Sequence, residues 1–212
     1  MYVTQTRRIL AVYDTASEEH IASGMSWYST AHLEALWIAS NHCLHIEQAA
    51  GIIAALSPQT SWGFNLQWAD LVAGGDTSRH GLGASLGKAL MIQRNPGTDP
   101  LDILGGPKVR AFYSAILSGG ATEQVVVDRH AYDLASNTRG AHLSLTPRRS
   151  FVTAENYRGA ATRLRKRGIE ITACQLQAVT WLTWRSRYWG EGAWDGYAND
   201  RSRAPQLESV AV

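Results

Sequence analysis

The stretch Ile46-Glu47-Gln48-Ala49-Ala50-Gly51-Ile52-Ile53-Ala54-Ala55-Leu56 limits this chain's choices more than any other. It holds too few polar residues to present a wet face, and Pro58 marks its end. A helix this apolar has to be surrounded by other elements. The rest of the chain supplies them with helical spacing. Residues 27–44 place Trp27, Ala31, Leu36, Trp37, Ile38 and Leu44 among polar positions, and residues 61–72 continue with Trp62, Leu66, Ala69 and Leu71 before Gly74-Gly75-Asp76. Residues 82–93 form another such pattern, ended by Asn95-Pro96-Gly97. Asp99 caps a short helix with Pro100 in its first turn, and Pro107 opens the next, with Val109, Phe112, Tyr113, Ile116 and Leu117 as its inner stripe. Val125-Val126-Val127 is β-prone but short and reads as an extended, buried connector. Residues 138–147 read as loop, and residues 154–167 and 172–187 as two closing helices separated by Gly168. Strand signals are too few for a sheet, so the predicted class is all-α.

The chain has 212 residues and a net charge of only +2. Charge balance alone therefore points to no nucleic acid, yet Arg148, Arg149, Arg158, Arg163, Arg165, Lys166, Arg167, Arg185 and Arg187 crowd the C-terminal half. They form either solvated helix faces or a phosphate-neutralising surface. Cys43 and Cys174, the only cysteines, are expected as two buried thiols of a reducing compartment, too few for four-cysteine ligation. The start Met1-Tyr2-Val3-Thr4-Gln5-Thr6-Arg7-Arg8 has no long apolar core after it, so no signal peptide is expected, and no run is long enough to span a bilayer. A cytoplasmic protein is the expectation. His20, His32, His42, His45, His80 and His142 show no His-Glu-x-x-His spacing, so no catalytic metal is expected.

Three segments carry chemistry. Leu56-Ser57-Pro58-Gln59-Thr60 is a polar loop at the end of the apolar helix. Leu104-Gly105-Gly106-Pro107-Lys108 is a glycine turn opening a helix with an early lysine. Val127-Asp128-Arg129-His130 delivers one carboxylate where a helical pattern resumes. In their order and spacing, over roughly residues 47–184, these segments resemble the helix-hairpin-helix/Gly-Pro-Asp (HhH-GPD) DNA glycosylase superfamily, most nearly its endonuclease-III-like branch. That family has a Ser-x-Gln-x loop, a Leu-Pro-Gly-x-Gly-x-Lys hairpin and a Val-Asp-x-His motif. The hairpin here lacks the second glycine of Gly-x-Gly and the iron–sulfur cysteines are absent. Similar sequences also resemble a bacteriophage group of glycosylase-like proteins linked to building hypermodified thymines.

The resemblance implies a two-lobed helical fold with a degenerate hairpin. Residues 1–189 would form one domain, with a central lobe at about 46–135 and a second lobe from the N-terminal helices plus 150–189. Residues 190–212 would be a mobile tail. It implies DNA as partner, a monomer, no organic cofactor, and at most a monovalent cation held by hairpin carbonyls.

It also implies roles. Asp128 would stabilise positive charge on the sugar as a base departs and accept a proton from the nucleophile, although Asp is equally at home as the cap of the helix that follows. Lys108 would be an amine nucleophile, or a phosphate-binding lysine at a helix N-terminus. Gln59 would fill the gap left by an extruded base, with Ser57, Thr60 and Trp62 around it, or simply satisfy its loop. Gly105, Gly106, Arg110, Arg129 and His130 would meet DNA, His130 reading equally as a structural histidine. Tyr132, with Asp133, would line the pocket or lie in the core. Trp181 and Trp184, beside Arg185 and Arg187, suit nucleic acid, though Trp181 also reads as core. The function implied is eversion of a modified pyrimidine and cleavage of its N-glycosidic bond. Its rivals are a thymine-modifying transferase on the same fold, a DNA-binding protein without chemistry, and an all-α protein-binding module.

Overall fold

The computed structural model describes residues 3–78, 83–138 and 145–189, and ten helices lie among them with no strand. They are α1 (Thr6–Tyr13), α2 (Glu18–Asn41), α3 (Ile46–Leu56), α4 (Trp62–Ala73), α5 (Gly83–Arg94), α6 (Pro100–Ile103), α7 (Pro107–Leu117), α8 (Arg129–Ser136), α9 (Pro147–Arg165) and α10 (Ala173–Trp189). None of the described helices is long and apolar enough to cross a membrane. The expected tail, residues 190–212, lies outside the described residues.

The apolar run around Ile52 becomes α3, buried from Gln48 to Leu56 and enclosed by α2, α4, α5 and α7. Close approach replaces side-chain bulk here: a Cβ on Gly51 would stand 2.9 Å from that of Pro100. The buried Gln48 amide donates to the carbonyls of Ile92 and Gln93 at 3.0 and 3.2 Å, tying α3 to the end of α5.

Two apolar cores result. The first gathers residues of α2, α3, α4, α5 and α7 with Cys174 and Ala178 of α10. The second gathers α1, α8 and α9 with Leu176, Val179 and Trp184 of α10. α10 thus serves both cores, which is why most of residues 173–184 are buried although several are polar. Val125 and Val127 belong to the second core and Val126 to the first, the alternation of an extended segment threading between them. This division departs from the one expected. α8, placed by sequence in the central lobe, turns Ala131, Leu134 and Ala135 into the second core. α2, placed with the N-terminal helices, turns Tyr28, Ala31, Ala35 and Ile38 into the first.

Other departures have local causes. α2 begins well before Trp27 because Ser17 accepts from the His20 amide at 3.1 Å and Glu18 and Glu19 occupy the first turn, where acidic groups are favoured. α9 begins at Pro147 rather than near residue 154: Thr146 caps the Arg149 amide and proline stands in the first turn. α1 has no counterpart in the sequence reading. Its start is fastened from afar, by Asn156 accepting from the Thr6 amide and hydroxyl at 3.1 and 2.9 Å. Cys174 is buried as expected, but Cys43 is exposed, in the left-handed turn (φ 53°) that separates α2 from α3.

Among the described residues, three of the nine basic residues named in the C-terminal half pair with acids of the same chain. Arg158 pairs with Glu155, Arg165 with Glu123 at 3.1 Å and Arg167 with Asp14 at 3.2 Å. Such exposed pairs add little stability, but they lower the net field that this face presents.

Candidate functional site

Beside the first core lies a cavity of about 150 Å³, whose apolar lining includes Trp27, Tyr28, Trp62, Phe112, Val126 and Ala178 of that core. The volume is roughly that of an apolar cavity known to accept one benzene ring. Its walls come from nearly every part of the fold: Trp27 and Tyr28 from α2, Ser57, Thr60 and Ser61 from the loop after α3, and Trp62 and Asn65 from α4. Lys108 and Phe112 come from α7, Val126 from the connector, Asp128 from the cap of α8, and Gln177, Ala178, Trp181 and Arg185 from α10. Helical spacing of three and four residues puts Trp62 with Asn65, Lys108 with Phe112, and Gln177 with Trp181 and Arg185 on common faces.

Aromatic rings form one side. Trp27 stands 4.7 Å from Tyr28, 5.1 Å from Trp62 and 5.9 Å from Phe112, measured between ring centroids, and all three pairs are tilted or edge-on. Such a wall offers faces and edges to a flat guest.

The carboxylate stands opposite. Asp128 Oδ1 accepts from the Ala131 amide at 2.7 Å and Oδ2 from the Trp181 indole N–H at 2.9 Å. Asp128 is therefore the cap of α8, and it also lines the cavity. Each oxygen is held by one N–H, which fixes the plane of the group. The Arg185 guanidinium lies over the Trp181 ring, 4.6 Å from its centroid, and His130 packs edge-on against the same ring at 6.3 Å.

Burial and the nearby Arg185 push the His130 pKa below its ordinary value, against the opposing pull of Asp128. The neutral imidazole is thus favoured in the folded protein. Stability from this group is complete above about pH 6.5 and is lost as pH falls through the lower folded value. The Tm advantage of the native protein over His130→Gln should therefore shrink on acidification from about pH 7.5 to 5. A gap that is constant or widens would contradict a neutral, buried His130.

Seven residues singled out from the sequence meet here: Ser57, Thr60, Trp62, Lys108, Asp128, Trp181 and Arg185. The others do not line the cavity. Gln59 is exposed at the tip of the Ser57–Thr60 loop with φ 57°, a conformation costly for a side-chain-bearing residue. Gly105 and Gly106 are exposed, Gly106 (φ 77°) forming the cap of α7. Arg110 is turned inward along the chain, donating to the carbonyls of Leu101 and Leu104 at the end of α6. Arg129 is exposed on the first turn of α8, and His130 does not line the cavity but packs against Trp181, which does. Tyr132 and Asp133 are buried and do not line the cavity. The tryptophans exchange roles. Trp184 is core, 4.5 Å from Tyr188, while Trp181 holds the carboxylate.

Sequence reading missed Asn65, Phe112 and Gln177 as site residues and left Trp27-Tyr28 without a role. The spacing of Gln177, Trp181 and Arg185 on one face of a helix was a signal that could have found the α10 wall. No group of three or more His, Cys, Asp or Glu able to hold a metal occurs among the described residues.

Residues 2–188 match a family model described as "Family of unknown function (DUF7178)". No curated protein and no solved structure matches the chain.

Proposed function

This chain belongs to the DUF7178 family, and we propose that it is a DNA-base-acting enzyme of glycosylase type, which everts one base into the cavity and cleaves its N-glycosidic bond. The observation that carries this reading is the meeting of Asp128, Lys108, Ser57 and Thr60, from three separate segments, around a space sized for one flat ring.

The chemistry asks for little more. As the C1′–N bond breaks, its electron pair leaves with the base and positive charge grows on the sugar. A carboxylate fixed by the Ala131 and Trp181 N–H groups needs no reorganisation to stabilise that charge. The same group can accept the proton of an attacking water. Lys108 lines the same cavity and takes part in none of the described ion pairs. If its amine attacks C1′ instead, the bond to the base breaks as the C–N bond to lysine forms. Gln59, exposed on a loop whose Ser57 and Thr60 line the cavity, is suited to fill the stack that the base has left.

Duplex oligonucleotides carrying uracil, 5-hydroxymethyluracil, a thymine–guanine mismatch or an oxidised base test this. Release of free base is expected from at least one. A borohydride-trapped adduct that vanishes in Lys108→Ala assigns the amine. Base release that persists in Lys108→Ala without an adduct assigns water. No release from any substrate, with a mass change in thymine-modified DNA, would replace excision by base modification. Salt-dependent binding alone would leave a DNA-binding protein.

A further inference from the structure

Asn65 is 2% exposed, it lines the cavity, and its Oδ1 is buried with no hydrogen-bond partner. An amide oxygen left unpaired in this way loses its hydration with nothing in return and so works against folding. Folding alone gives no reason to place an asparagine there, since an apolar side chain of the same size would avoid that cost. Gln177 of α10 lines the same cavity and is 4% exposed, and its Oε1 accepts from the Tyr28 hydroxyl at 3.0 Å. That bond uses the oxygen and fixes the amide, so the group Gln177 has left to offer is its Nε2 donor.

The cavity thus presents a carboxamide with one acceptor and one donor side by side, and a second donor from α10. The aromatic wall of Trp27, Trp62 and Phe112 limits the guest to one ring. The matching guest is a six-membered heterocycle whose edge carries an adjacent donor and acceptor with a further carbonyl beside them, which is the pairing edge of a pyrimidine. Asn65 would take N3–H and O4 of a thymine- or uracil-type ring. With its O and N exchanged, it would take N3 and N4–H of a cytosine-type ring, and Gln177 would donate to O2 in either case.

From this juxtaposition we infer that Asn65 and Gln177 are specificity residues that read the pairing edge of an everted pyrimidine. The inference rests on the base-everting reading above and adds the substrate class and the residues that select it. A purine is rejected by the second ring, and a pyrimidine methylated at N3 by the lost edge.

The test is a tryptophan-fluorescence titration of the full-length protein with thymidine, deoxycytidine, 3-methylthymidine and deoxyadenosine, since Trp27 and Trp62 stand in the cavity wall. Saturable quenching by thymidine or deoxycytidine is expected, and which of the two binds decides between the edges. Methylation at N3 should weaken thymidine-type binding by about tenfold or more, the loss of one or two hydrogen bonds to groups that stay buried. Asn65→Leu should abolish the discrimination against the N3-methyl ring while leaving Tm unchanged or higher, because it removes an unpaired amide. A purely structural asparagine would instead lower Tm. Gln177→Met gives a second, independent loss of affinity should Asn65→Leu fold poorly. Equal binding of 3-methylthymidine and thymidine, tight binding of deoxyadenosine, or no quenching by any nucleoside overturns the inference. Base release accompanied by edge-blind binding would sink it and leave excision standing. Edge-dependent binding without base release would do the reverse.

Discussion

Asp128→Asn is expected to reduce base release by about 10²–10⁴-fold, the usual range for a positioned acid–base or charge-stabilising group, while its stability cost is confined to the Trp181 indole hydrogen bond, because an amide offers one oxygen where the carboxylate offers two. The substitution separates two functions that one side chain performs. As the cap of α8, Asp128 needs only an oxygen facing the Ala131 amide, and asparagine caps about as well as aspartate. As the charge that opposes a developing sugar cation, it needs the negative charge that asparagine lacks. Asp128→Ala is the complementary control. It removes the cap as well, at a cost of about 1 kcal/mol, whereas the loss of the Trp181 indole acceptor is common to both variants. If activity falls in proportion to the loss of stability across Asn and Ala, the carboxylate is only a cap. If Asn is inactive yet more stable than Ala, chemistry is assigned. Base release by Asp128→Asn at the native rate would overturn the mechanism.

What could be seen beforehand was what periodicity and punctuation encode. The burial of α3 follows from its composition, and the starts of α6 and α7 follow from Asp99, Pro100 and Pro107. Asp128, Lys108 and the Ser57–Thr60 loop were legible as site candidates because each occupies a short segment with its own turn chemistry. The rest of the cavity was not, for a physical reason. Trp27, Asn65, Phe112 and Gln177 lie inside regular helices, where an inward aromatic or amide looks like ordinary core until the partner helix is known. The difference between Trp181 and Trp184 is three residues of rotation on α10, which sends one ring to the carboxylate and the other into the second core. The pairing within the basic cluster was hidden for a related reason. Its arginines meet Glu123 and Asp14 only through tertiary contacts.

Gly24→Ala should destabilise the protein by about 1–3 kcal/mol or more, although alanine is intrinsically the better helix former by roughly 1 kcal/mol. The deciding fact is what a methyl group would meet. On Gly24 it would stand 2.4 Å from the Val179 Cα and 2.6 Å from its amide nitrogen, backbone atoms that no rotamer change can move. α2 and α10 would have to separate. For a domain of this size each kcal/mol corresponds to a Tm loss of about 2–4 °C. The same substitution at Gly87 in α5, where nothing lies within 4 Å, should follow propensity alone and raise stability by up to about 1 kcal/mol. Opposite signs for one chemical change would locate the tight seam at α2–α10. That seam also sets the spacing of the site, because α2 carries Trp27 and Tyr28 while α10 carries Gln177, Trp181 and Arg185 on the facing wall. Gly24→Ala should therefore weaken nucleoside binding even well below its melting temperature, whereas Gly87→Ala should leave binding untouched. Equal and small Tm changes for both variants would mean that the helices do not meet as closely as the seam requires.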